Sequence, residues 1–156
     1  MLASPTLSRA EIGRAQARLY NFARYMFKAR KGHDMLENWH QQEICKTLER
    51  VYLGDLARVI INIPPRSGKT ETAVKAFMGW TMGLAPDAEF IHASYSKRLA
   101  TANAYDVRAM MQHEAYRAIF PWVGLQEDSK AKDEFRTTEG GIVYATGAEG
   151  TITGYG

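Results

Sequence analysis

Hydrophobic residues in the stretch 9–31 recur with helical spacing: Ile12, Ala15, Leu19, Phe22, Ala23 and Met26 share one arc of a 3.6-residue wheel. Arg14, Arg18, Arg24, Lys28 and Lys31 fall on the other side. Ser8 and Glu11 have the spacing of a capping box, and Gly32 is a stop signal. The pattern predicts one amphipathic helix with an apolar face that packs and a cationic face. A second helix is predicted over residues 39–53, after Asn38 and before Gly54, with Ile44, Leu48 and Val51 on its inner stripe. The period then changes. Residues 58–63 are a short, β-branched run between Asp55 and the pair Pro64 and Pro65, which predicts a buried central strand of a parallel sheet.

Helical spacing resumes over residues 71–80 and stops near Pro86. Residues 89–94 read as a strand, 96–112 as a helix and 114–120 as a shorter helix before Pro121. Residues 134–138 and 142–145, either side of Gly140 and Gly141, predict a hairpin, and the glycine-rich residues 147–156 read as a loop. This strand-loop-helix-strand-helix order indicates an α/β domain with a parallel sheet. The chain divides into a basic helical segment, residues 1–37, and an α/β part, residues 38–156.

With 46% hydrophobic and 24% charged residues, the composition excludes disorder as the main state. No apolar run reaches the roughly 18 residues of a membrane-spanning helix, and the start lacks the charge order of a signal peptide, so a cytoplasmic protein is expected. A single cysteine, Cys45, excludes an intramolecular disulfide and a cysteine-built zinc site. The net charge of +3 is uneven: residues 1–32 hold Arg9, Arg14, Arg18, Arg24, Lys28, Arg30 and Lys31 against Glu11 alone. That cationic face suits a solvated surface, a nucleic-acid or protein contact, or a membrane-surface helix.

Gly68, Lys69 and Thr70 form the core of a Walker A loop, although Ile63 stands where the full motif has its first glycine. Such a tripeptide arises by chance in roughly one chain in ten of this length. Its context is more telling, because it lies between a predicted strand and a predicted helix, where main-chain N–H groups converge on an anion. Gly68 lets phosphate oxygens approach its backbone, Lys69 neutralises β- and γ-phosphate charge, and the Thr70 hydroxyl suits Mg²⁺. Arg66 adds a second cation able to offset charge as a phosphoryl bond breaks. The catalytic candidates are therefore Arg66 and Lys69.

Trp39, His40 and Gln41, the run from Arg58 through Pro64-Pro65-Arg66-Ser67-Gly68-Lys69-Thr70, and His92-Ala93-Ser94-Tyr95-Ser96-Lys97-Arg98 together resemble the large terminase subunit of tailed bacteriophages. The resemblance covers residues 38–156. It implies a P-loop NTPase fold with a parallel sheet flanked by helices, and an ATP-driven motor that packages double-stranded DNA into procapsids. It implies ATP and Mg²⁺ as ligands, and nucleotide contacts from Trp39, His40, Gln41, Pro65, Arg66, Ser67, Gly68, Lys69, Thr70 and Glu71. Read from the residues alone, Trp39 to Gln41 equally fit a helix start packed on a sheet edge. The implied partners are the small terminase subunit, the portal and procapsid, and further copies of the chain in the cytoplasm of a bacterial host, with no membrane. It also places Ser94, Tyr95 and Ser96 on the ligand side of the sheet. Arg98 reads either as a solvated helix residue or as a charge offered to DNA or a neighbouring subunit.

Residues 151–156 resemble the glycine loop before a Walker B strand, with Tyr155 where many relatives have arginine. No apolar run after Ile91 ends in an acidic pair; Glu127 with Asp128, and Asp133 with Glu134, lie in polar surroundings. Nucleotide binding is expected without turnover, as in the front of a motor ATPase whose sheet is incomplete and whose strand at 59–63 does not pair with 90–94. The alternatives are a helicase-like P-loop ATPase and a non-catalytic module that binds DNA or protein through its basic helix.

Overall fold

In the computed structural model, which describes residues 7–127 and 133–148, the first predicted helix is interrupted at Arg18. α1 (Arg9–Ala17) carries the expected capping box: Glu11 N–H donates to Ser8 Oγ, and Ser8 N–H donates to the Glu11 carboxylate at 2.9 Å. Arg18 is extended, with φ −137° and ψ 123°, and α2 (Leu19–Lys31) then runs to Gly32, whose φ of 77° closes it in the left-handed conformation. The break has a tertiary cause. Glu49 accepts from Leu19 N–H at 2.8 Å and pairs with Arg18 Nε at 3.1 Å, so a carboxylate from the third helix caps α2.

α3 (Trp39–Tyr52) buries Gln41, Ile44, Cys45 and Leu48. Burial pushes the Cys45 thiol up to about 12, so it stays protonated at neutral pH. Residues 58–63 are the main departure from expectation. They form no ladder among the described residues and alternate between partly buried Val59, Ile61 and Ile63 and exposed Ile60 and Asn62, with Ile60 89% exposed. The β-branched run is extended but is not a buried central strand, because no neighbour supplies the ladder that would cover its outer side.

A π-helical segment (Thr70–Ala76) continues directly into α4 (Phe77–Leu84), which ends before Pro86. β1 (Glu89–Ser94) leads to α5 (Lys97–Gln112), where Ser96 Oγ accepts from Leu99 N–H as the N-cap. α6 (Glu114–Ile119) follows, then β2 (Glu134–Arg136) and β3 (Ile142–Gly147). The three strands form a mixed sheet in the order β1-β3-β2. β1 and β3 are parallel, with Phe90 opposite Val143, and β2 returns antiparallel to β3, with Phe135 opposite Val143, as the predicted hairpin. The fold is mixed α/β, and the sheet is not wholly parallel.

Residues of α1 and α2 share one core with α4, α5, α6 and the sheet. At its centre Phe22, Tyr116 and Phe120 meet ring to ring at 5.3–6.0 Å. Gly79 and Gly83 of α4 face them, and Tyr116 Oη donates to Gly79 O at 2.8 Å. No helix among the described residues is long and apolar enough to cross a membrane. Residues 151–156, with Tyr155, lie outside the described residues, as does Asp128.

Candidate phosphate-binding site

The loop before the π-helical segment is left-handed at two positions, Arg66 (φ 63°) and Gly68 (φ 78°). Glycine adopts this conformation freely, whereas an arginine there is strained by about 1–2 kcal/mol. Pro65 and Arg66 form a hydrogen-bonded turn, and across residues 68–71 no backbone N–H has a backbone acceptor among the described residues before Thr72 closes back, donating to Gly68 O at 3.1 Å. Four consecutive donors at a helix start, residues 68–71, suit an anion, since N–H groups without backbone acceptors and the helix dipole act together.

The side chains agree in sign. Arg66 and Lys69 are exposed and form no ion pair among the described residues. The Thr70 hydroxyl is likewise exposed. Mg²⁺ commonly takes one or two protein oxygens and completes its shell with phosphate and water. One hydroxyl beside a phosphate loop fits that pattern, and no cluster of three or more acidic, His or Cys side chains able to hold a metal occurs among the described residues.

α3 brings its first turn to the same place. His40 Nε2 lies 3.1 Å from Ser67 O, so with a proton on that nitrogen the ring donates to the loop. Gln41 packs against Gly68 from below. Trp39 contacts the His40 ring edge-on at 6.1 Å and is 75% exposed, an aromatic face open to a flat ligand. Gln41 Oε1 and Thr72 Oγ1 are buried and have no hydrogen-bond partner among the described residues. The structure thus gathers Trp39, His40, Gln41, Ser67 and Gly68, which the sequence separates by more than twenty positions. Pro65 lies in the turn with Arg66, and no contact of its own with α3 occurs among those described.

Glu71 is engaged elsewhere. Lys75 donates to Glu71 Oε1 and to Asp106 Oδ2, each at 2.6 Å, and Arg30 Nη1 stands 3.9 Å from the second Glu71 oxygen. Burial alone would disfavour the Lys75 charge, but the bonds to Asp106 and Glu71 outweigh it and raise its pKa above the usual lysine value. The Glu71 and Lys75 spacing of four was legible as a helical ion pair. Asp106 and Arg30, from α5 and α2, had no local signal.

Ser94, Tyr95 and Ser96 occupy the C-terminal end of β1, and Ser96 serves as the α5 cap. No hydrogen bond joins them to the loop among the described residues, and Tyr95 and Arg98 are exposed. The cationic face of α1 and α2 is largely answered from within: Arg18 pairs with Glu49, Arg24 with Glu37, Lys28 with Asp34 and Arg30 with Glu71. No protein-family model, curated protein or solved structure matches this chain.

Proposed function

We propose that residues 65–71 bind the phosphates of ATP, and that the chain is the nucleotide-binding part of a motor ATPase of the terminase large-subunit kind, which drives DNA into procapsids. The observation that carries the phosphate assignment is the run of N–H groups at residues 68–71 without backbone acceptors among the described residues, beside the cations Arg66 and Lys69, which form no ion pair among those residues. Lys69 neutralises the β- and γ-phosphates, Gly68 admits them to the backbone, and Trp39 offers its ring to the base. Mg²⁺ held by Thr70 supplies further charge neutralisation at the phosphates. Arg66 is placed to offset charge developing on the γ-phosphoryl group.

The motor assignment rests on the sequence resemblance. Its working partners would be double-stranded DNA, the small terminase subunit, the portal and procapsid, and further copies of the chain. Arg18, Arg24, Lys28 and Arg30 along α1 and α2 already have acidic partners, while Arg9, Arg14 and Lys31 form no ion pair among the described residues.

Titration of a fluorescent ATP analogue into wild type and Lys69→Ala tests the phosphate assignment. Affinity should fall by roughly two orders of magnitude, the loss of one or two charge-assisted hydrogen bonds of about 1.5–3 kcal/mol each. Equal affinity in the two proteins would overturn it.

A further inference from the structure

The Glu71, Lys75, Asp106 and Arg30 cluster contains two carboxylates and two cations, so it is neutral as a unit. It joins three elements: Glu71 and Lys75 from the π-helical segment, Asp106 from α5 and Arg30 from α2. Lys75 is buried and sits between the two carboxylates. Glu71 directly follows Thr70, in the first helical turn, where an acidic side chain is favoured by the same N-terminal field that attracts phosphate. Its full charge there would oppose a polyanionic ligand.

We propose that Lys75 is a positioning residue for the phosphate loop: it holds the Glu71 carboxylate in a neutral cluster against Asp106 and so keeps the loop's field positive for a polyphosphate. This rests on the reading of residues 65–71 as a phosphate site. The consequence is specific in charge. Removing the Lys75 cation leaves the cluster at −1 beside the loop, and the penalty grows with the charge of the ligand. Removing Glu71 and Lys75 together returns the cluster to neutrality.

The experiment measures binding of fluorescent ATP and ADP analogues to wild type, Lys75→Met, Glu71→Gln and the double variant Glu71→Gln/Lys75→Met. At low salt Lys75→Met should bind the ATP analogue about tenfold more weakly, and the ADP analogue less so, for one added charge about 10 Å from the phosphates in water. The difference should shrink at about 1 M salt, where the Debye length is about 3 Å. The double variant should recover wild-type affinity to within about twofold, and Glu71→Gln alone should bind more tightly than wild type. A purely structural bridge gives a different outcome: the double variant stays as weak as Lys75→Met, which overturns the proposal. Unchanged affinity in Lys75→Met also overturns it. Should Lys75→Met not fold, Glu71→Gln alone decides, with unchanged or weaker binding counting against. Binding lost in Lys69→Ala but indifferent to the cluster variants defeats this inference alone; binding indifferent to Lys69→Ala defeats the phosphate assignment and this inference with it.

Discussion

Gln41 and Gly68 are in direct contact: the Gln41 side-chain nitrogen stands 2.9 Å from the point a Cβ on Gly68 would occupy. The contact places the first turn of α3 against the loop, and a side chain on Gly68 would have to displace the Gln41 amide. The left-handed φ of 78° is the stronger demand for glycine at this position, since the Gln41 amide is the movable end of a flexible side chain.

Gly68→Ala should therefore weaken binding of an ATP analogue and cost about 1–2 kcal/mol of stability from the left-handed backbone. Gly32→Ala is the control, because Gly32 has nearly the same φ, 77°, but nothing within 4 Å of its Cβ position. It should lose similar stability in urea unfolding and keep wild-type nucleotide affinity. Equal affinity losses in both would show that Gly68 acts only through general stability.

The two α4 glycines should respond differently to alanine. A Cβ on Gly83 would stand 2.4 Å from the Phe120 ring, which Phe22 and Tyr116 hold in place, so Gly83→Ala should destabilise by about 1–3 kcal/mol. A Cβ on Gly79 meets the Met110 methyl, also at 2.4 Å, but that is the free end of a flexible side chain. Gly79→Ala should be close to neutral, helped by about 1 kcal/mol of helix propensity. Chemical denaturation of both variants checks the contrast.

His92 makes stability depend on pH. Burial lowers its pKa below the usual 6.5, and Asn103 Nδ2 donates to His92 Nε2 at 3.1 Å, a bond that needs this nitrogen unprotonated. The folded-state value lies below the unfolded one, so His92 contributes stability above about pH 6.5 that is lost as pH falls through the folded-state value. Wild type should lose more Tm between pH 7 and pH 5 than His92→Gln does. Parallel losses would place the acid sensitivity elsewhere.

Ile60 tests the absence of a ladder at residues 58–63. As an exposed side chain it should accept lysine with a change within about 0.5 kcal/mol, whereas Ile61→Lys, which buries a charge against the core, should cost several-fold more. Severe destabilisation by Ile60→Lys would show that this side chain is covered after all. The exposed β-branched edge also makes Ile60→Lys the substitution expected to reduce light scattering on heating.

Much of the local structure was legible because its causes are local. The Ser8 and Glu11 box, the Gly32 stop, the Asn38 start of α3 and the β2-β3 hairpin each depend on residues a few positions apart. The turn into the helix at Gly68, Lys69 and Thr70 was legible in the same way, since a glycine between a β-branched run and a helical run marks a change of backbone direction. The break at Arg18 was not, because the cap on Leu19 comes from Glu49 on another helix. The reading of residues 58–63 as a central strand failed for a related reason. A β-branched run specifies an extended backbone, but only a second strand can supply its ladder, and local sequence does not say where that strand is.

The sequence by itself determined most of the helical stretches and which of their faces are apolar. These follow from backbone sterics and from periodicities of two and 3.6 residues. The tertiary structure alone decided which charges are free. Arg66 and Lys69 form no ion pair among the described residues, while Arg18, Arg24, Lys28, Arg30 and Lys75 find acidic partners 4 to 41 positions away, the nearest being Glu71 for Lys75 and the farthest Glu71 for Arg30. A charge acts on whatever lies within a few ångströms of it, and that neighbourhood exists only once the chain has folded.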